Sequence, residues 1–340
     1  MEAQIHKLRT LSLRSWLVAG CLTTAGTHGN ACDLCSIYSA QVARGPVDSI
    51  YSAQEARGQV GKGFFAGVAE QFTRFGTLQL DGQEVPDSAG QYLNSSISQV
   101  FAGYNFTDRF GVQLNIPVIY RSFLRPAGFA MDRGTEAGLG DIALLGHAVL
   151  LNHNRENWTF NWTVLGGVKF PTGSTQRIQE EFAETEVPGA PESGIHGHDL
   201  TLGSGSFDGI FGTSLFTRWH QGFLAAQVHY AIRSTGDYDY RFANDLMWSG
   251  GPGAFLLLRE KYTLALQINV SGEYKGLDTF QGTQAEDTGT TSVFLGPQIL
   301  FTWSDKLSGQ VGLDLPVSIA NTALQLVPDY RLRAAFTWRF

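Results

Sequence analysis

The chain has 340 residues and a formal net charge of −7, with 24 Lys plus Arg against 31 Asp plus Glu. Charged residues make up only 16% of it, against roughly a quarter in an ordinary soluble domain. The acidic balance excludes a nucleic-acid surface, which needs clustered Lys and Arg. A mean hydropathy of −0.08, with no apolar run past the N-terminus near the roughly 20 residues of a spanning helix, excludes a helical membrane protein.

Residues 1–31 have the layout of a secretory signal. Lys7, Arg9 and Arg14 precede the mostly apolar stretch from Trp16 to Leu22, and small or polar residues follow to Gly29, Asn30 and Ala31. Cleavage is expected after Ala31, with Ala25 as the alternative. Val18 to Cys21 also resembles a lipoprotein cleavage box, on a core short for such a signal. Residues 32–61 form a separate segment with an internal duplication, in which the stretch from Ser36 to Gly45 recurs from Ser49 to Gly58. Each copy closes a run of helix formers with Gly, a helix stop. Two short helical turns in a periplasmic or plug segment are expected, and a repeated partner-binding motif is the alternative. Cys32 and Cys35 would be the only thiols after cleavage. Their spacing suits a disulfide, a redox pair or half of a metal site. No His follows Cys35, so a c-type haem attachment is absent.

From about Phe64, and over residues 62–340 as a domain, the pattern has period two, the spacing at which alternate side chains of a strand share one face. Strands are expected near 63–75, 92–106, 110–121, 139–151, 157–170, 205–219, 223–233, 246–258, 261–275, 291–303, 307–319 and 330–340. The fold expected is all-β, a 12-stranded antiparallel transmembrane barrel. The last strand shows the pattern best, with Tyr330, Leu332, Ala334, Phe336, Trp338 and Phe340 on one face and Arg331, Arg333, Thr337 and Arg339 on the other. Pro117 and Pro316 lie inside strands, remove a ladder donor each and predict bulges. Short turns alternate with longer links near 76–91, 122–138, 171–204, 234–245, 276–290 and 320–328. In outer-membrane barrels the short turns are periplasmic, which puts both termini there. Trp158, Trp219, Tyr262, Trp303 and Trp338 cluster near strand ends, as rings at a headgroup level do. A soluble β-sandwich would alternate too, but its outer face would be polar.

Three motifs sit at strand ends: Gly138-Leu139-Gly140-Asp141, Gly167-Val168-Lys169-Phe170-Pro171-Thr172-Gly173, and Gly203-Ser204-Gly205-Ser206-Phe207-Asp208. Their order resembles the outer-membrane channel family named for the MetA pathway of phenol degradation, a family of transporters for aromatic or other hydrophobic compounds. The resemblance covers roughly residues 60–340. It implies a 12-stranded barrel and passive uptake, leaves the substrate open, and carries nothing over to the Cys32 to Arg57 segment.

By alternation Asp141, Lys169, Asp208, Arg331, Arg333 and Arg339 point inward, since basic residues facing lipid cost about 2–4 kcal/mol near the midplane. They build either a structural salt-bridge network or a polar constriction that selects permeants by charge and size. His196, His198 and Asp199 lie in the longest link beside Glu180, Glu181, Glu184 and Glu186, a composition that could hold a divalent cation or merely be solvated. His147 and His229 point inward at mid-barrel, and no His-x-Ser arrangement stands at a strand end, so no enzyme is expected. No cofactor is expected. The reading is a passive bacterial outer-membrane channel for small, aromatic or hydrophobic molecules. The alternative is a non-transport barrel whose N-terminal Cys segment docks a periplasmic partner or metal. The partners expected are membrane lipid and lipopolysaccharide, the barrel-assembly machinery and a small permeant, with no nucleic acid.

Overall fold

The computed structural model describes residues 61–182, 187–259, 261–304 and 306–340. The signal, the duplicated segment, Cys32 and Cys35 lie outside the described residues. Twelve long strands form one sheet: β1 (Gly63–Leu80), β2 (Tyr92–Asn105), β3 (Phe110–Ala127), β4 (Ala143–Arg155), β5 (Trp158–Lys169), β6 (Asp208–Trp219), β7 (Gly222–Ile232), β8 (Asp245–Leu258), β9 (Tyr262–Lys275), β10 (Thr290–Trp303), β11 (Leu307–Asn321) and β12 (Leu324–Arg339). Each pairs antiparallel with its neighbours in sequence, and β12 returns to β1 from Phe65 opposite Arg339 to Leu80 opposite Leu324. The sheet is therefore a closed 12-stranded barrel with no free edge.

Alternation places the side chains as expected. On β3, Leu114, Val118 and Tyr120 are exposed outside while Gln113, Asn115 and Arg121 are buried inside. On β11, Val311, Leu315 and Val317 face out and Gln310 and Asp314 face in. The result is an apolar outer wall around a polar interior, the reverse of a soluble barrel. Monomeric soluble proteins rarely carry a contiguous apolar surface beyond a few hundred Å², and this wall runs round the whole molecule, so its natural solvent is hydrocarbon. Rings mark one edge of the band: Trp158 pairs with Trp219, Tyr262 pairs with Trp303, and Trp338 stands opposite Leu307. Tyr92, Tyr120, Tyr230, Tyr274 and Tyr330 mark the other. The first edge carries the short turns and both ends of the described barrel, where the Phe340 N–H donates to the Phe64 carbonyl (3.0 Å).

The long links are more ordered than the sequence suggests. The link expected at 122–138 is a hairpin arm, because β3 runs on to Ala127 and pairs with a strand at Ala130–Leu139. The link expected at 320–328 shrinks to the turn at Thr322 and Ala323, since Leu324 to Val327 extend the ladder on β1. Register shifts at Phe75 and beside Pro328 hid that extension by breaking the alternation. Pro316 sits at a register shift, as expected. Pro117 does not, and its pairing to Gln99 is continuous. It falls where β3 changes neighbour, from Asn115 opposite Ala143 to Val118 opposite Leu139, so a missing N–H costs little.

Candidate functional site

At the turn end the interior is apolar: Phe216, Phe223, Phe255, Ala265 and Leu300 form one cluster. Above it comes a level of uncharged polar groups, including Gln99, Asn115, Asn161, Gln267, Asn269 and Gln298, all buried. Near the loop end, charged side chains take over.

Those charges form an ordered chain along one side of the wall. Lys169, the last residue of β5, stands opposite Asp208, the first of β6. Its Nζ is 2.5 Å from Asp141 and 2.8 Å from Asp208. Arg233, just past β7, reaches Asp208 at 2.9 Å and Asp245 of β8 at 2.7 Å. Further round, Lys275 at the end of β9 pairs with Asp278 at 2.7 Å. Every side chain in these pairs is essentially buried, so each charge is matched where an unmatched one would cost several kcal/mol.

The same carboxylates hold loops in the mouth. Asp141 accepts from the Gly173 and Ser204 backbones (3.0 and 2.9 Å) and from the Ser204 hydroxyl. Asp208 accepts from Ser206 and from the Ser234 N–H, and Asp278 accepts from Tyr240 and the Ala243 N–H. Residues 170–182 and 187–207 fold down into the mouth as a cap, with a 3-10 helix at Gln176–Phe182 and one helical turn at Gly197–Leu200. Ile178, Ile195, Leu200 and Leu202 pack with Leu93, Ile97, Ile119 and Phe123 of the wall and with Tyr240 and Phe242 of the next link. Arg121, wholly buried, donates to the carbonyls of Asp199 and Thr201. Arg125 binds Glu180 and Asp132, and Arg177 binds Glu136 and Glu180. Burial alone would raise the Glu180 carboxyl, but hydrogen bonds from Arg125 and Arg177 and their charges hold it below its ordinary value.

The sequence candidates divide accordingly. Asp141, Lys169 and Asp208 meet in one network. Arg333 pairs with Asp314 at 2.7 Å on the opposite wall, and Arg331 lies over the Phe294 ring, 4.4 Å from its centroid. Arg339 stands apart at the turn end, opposite Phe65. His196, His198 and Asp199 are not a solvated loop. His198 and Asp199 are buried, His198 pairs with Glu181 at 2.9 Å, and His196 pairs with Asp287 at 2.7 Å. Among the described residues no group of three or more His, Cys, Asp or Glu side chains could hold a metal ion; Glu181 and Asp287 engage the two imidazoles. Asp287, which burial would raise, is held below its ordinary value by the His196 hydrogen bond and by the charges of His198 and His196.

Sequence reading missed Arg233, Asp245, Lys275 and the cap-holding Arg121. For Asp245, Lys275 and Arg121 the parity that selected Asp208 was available. It also missed Glu70, which faces outward on β1 and accepts from Ser96 (2.6 Å) and Ser98 (2.5 Å) of β2.

Among solved structures, the COG4313 outer membrane channel from Pseudomonas putida F1 superposes with a TM-score of 0.61, covering 87% of this chain and 99% of that one at 16% identity. The fold is that of an outer-membrane barrel. Weaker likenesses are the β domain of the Bordetella autotransporter Brka (TM-score 0.42, 9% identity, 81% and 99% covered) and the CymD monoaromatic hydrocarbon channel (TM-score 0.37, 8% identity, 92% and 98% covered). No family model matches the chain and no curated protein does.

Proposed function

We propose that this chain is a passive outer-membrane channel for small organic molecules, with the long links and their cap outside the cell and both termini in the periplasm. The supporting observation is the interior. Both side-chain polar atoms of Gln99 and of Asn161, the Thr163 and Ser271 hydroxyls and the Asn269 amide nitrogen are buried with no hydrogen-bond partner in the protein. Each such atom costs about 1–3 kcal/mol if nothing meets it. A barrel whose interior served stability alone would carry apolar groups there, whereas a conduit needs groups that water and permeant can bind in passing. The mixed lining, with Phe101, Leu165 and Phe294 also buried inside, suits a permeant with both a polar group and an apolar body. Aromatic and hydrophobic compounds, which the motif resemblance implies, fit that description.

The charged network serves chiefly to hold the cap, and the polar level beneath offers hydrogen bonds to a permeant. The alternating last strand ending at Phe340 is the segment that barrel-assembly machinery would read, and the apolar band meets membrane lipid and lipopolysaccharide. Single-channel recording of the purified full chain in planar bilayers tests the proposal. Discrete conductance steps are expected, reduced by small aromatic alcohols or acids added as blockers. A folded barrel that never conducts, with the cap intact or with residues 176–200 removed, would overturn it.

A further inference from the structure

Five large inward rings each stand directly opposite a glycine on another of the twelve barrel strands, and a sixth, Phe123, faces Gly134 of the hairpin arm in the mouth. Phe65 of β1 is paired with Gly103 of β2, and two positions along the same ladder Phe101 of β2 is paired with Gly67 of β1. His147 of β4 faces Gly111 of β3, His229 of β7 faces Gly212 of β6, and Phe223 of β7 faces Gly253 of β8. In every case the ring occupies the space that a side chain on the glycine would fill. A Cβ at Gly212 would collide with the His229 ring, and one at Gly111 would stand 2.6 Å from the His147 ring. The same holds at Gly103 with Phe65, Gly67 with Phe101, and Gly253 with Phe223.

A ring that covers its cross-strand glycine lies along the wall instead of pointing at the barrel axis. From this geometry we infer that these glycines are specificity-determining residues of the channel proposed above: by letting the rings lie flat, they set the free cross-section and so the size of molecule that passes. The inference rests on the channel reading. The same covering braces the ladder on the lipid face, where Trp248 lies over Gly272 and Phe301 over Gly309; only the inward instances bear on lumen width, and there a β-branched residue would offer better strand propensity. The geometry trades local strand strength for lumen width at five places, on both sides of the barrel. Restoring a side chain at any of them leaves the ring two options, to leave the wall or to force the strands apart.

Gly212 is the cleanest place to test this, because the three atoms nearest its added Cβ all belong to side chains, those of His229 and Leu165. Gly212→Ala in the full-length protein is expected to lower single-channel conductance in potassium chloride by about twofold or more and to lower the sugar size excluded in liposome swelling. Gly212→Ala combined with His229→Ala is expected to restore both. Heat-dependent gel mobility reports whether each variant is folded. Gly111→Ala with and without His147→Ala gives a second, independent pair if the first does not assemble, since the three atoms nearest that Cβ are again side-chain atoms. Wild-type conductance in folded Gly212→Ala and Gly111→Ala, or an equal loss in the single and double variants, would overturn the inference and leave the channel reading standing. A folded wild-type barrel that conducts nothing would overturn both.

Discussion

Lys169 and Asp208 occupy directly opposed positions on β5 and β6, and the ammonium stands 2.8 Å from the carboxylate with both side chains wholly buried. The pair is the hinge point of a chain that runs on through Asp141 in one direction and Arg233 and Asp245 in the other. Each of these charges stands within 2.9 Å of an opposite one, so removing one leaves its direct partners short of compensation.

Lys169→Met is therefore expected to destabilise the barrel by about 3–5 kcal/mol. Asp141 would lose the ammonium 2.5 Å from its carboxylate, while Asp208 would keep Arg233. Urea unfolding in lipid vesicles, followed by tryptophan fluorescence, measures it. Adding Asp141→Asn should recover part of the loss. An undiminished midpoint in Lys169→Met would show that the network contributes no stability.

Arg121 bridges wall and cap through the carbonyls of Asp199 and Thr201. Arg121→Ala leaves two buried acceptors short of a donor, a cost of about 1–3 kcal/mol to the closed cap, and is expected to raise the fraction of time the channel is open. Faster protease cleavage between Gln176 and Leu202 should accompany it. Unchanged gating together with unchanged cleavage would remove Arg121 from the latch.

The arginine clamp on Glu180 should release in acid. Glu180 is held below its ordinary value of 4.5 by Arg125 and Arg177, which stay charged throughout. A carboxylate depressed in the closed state stabilises it above the ordinary value and loses that contribution as pH falls through the depressed one. Open probability is thus expected to rise below about pH 4.5, and Glu180→Gln to remove that rise. An acid response unchanged in Glu180→Gln would assign control to other groups.

Glu70 presents a carboxylate to lipid. Its cross-strand neighbour on β12 is Ala334, midway between Trp338 and Tyr330, the rings marking the two edges of the apolar band. Replacing it with Leu is expected to stabilise the folded barrel by about 1–2 kcal/mol, and Glu70→Lys to destabilise it by about 2–4 kcal/mol. Denaturant titration in vesicles reads both. A less stable Glu70→Leu would mean that the hydrogen bonds from Ser96 and Ser98 outweigh desolvation.

The fold was legible because a barrel wall is written locally. Each strand declares its two faces by alternation, as the stretches from Val112 to Tyr120 and from Tyr330 to Phe340 do, and closure needs only an even set of such strands. Extensions past Leu80 and before Tyr330 were hidden where bulges at Phe75 and Pro328 broke the period. For the site, parity identified Asp141, Lys169 and Asp208 as inward. It could not say which charges meet, because contact depends on strand stagger around the barrel.

By itself, then, the sequence determined the architecture, the inside and outside of nearly every strand, and the inward charges of Lys169 and Asp208, because all of these follow from a period of two along one strand. Tertiary structure alone decided that residues 170–182 and 187–207 turn back into the mouth, that His196 and His198 pair with carboxylates, and that Phe65, Phe101 and His229 lie across glycines. Those relationships join residues far apart in the chain, and cross-strand register, which no single strand encodes, brings them together.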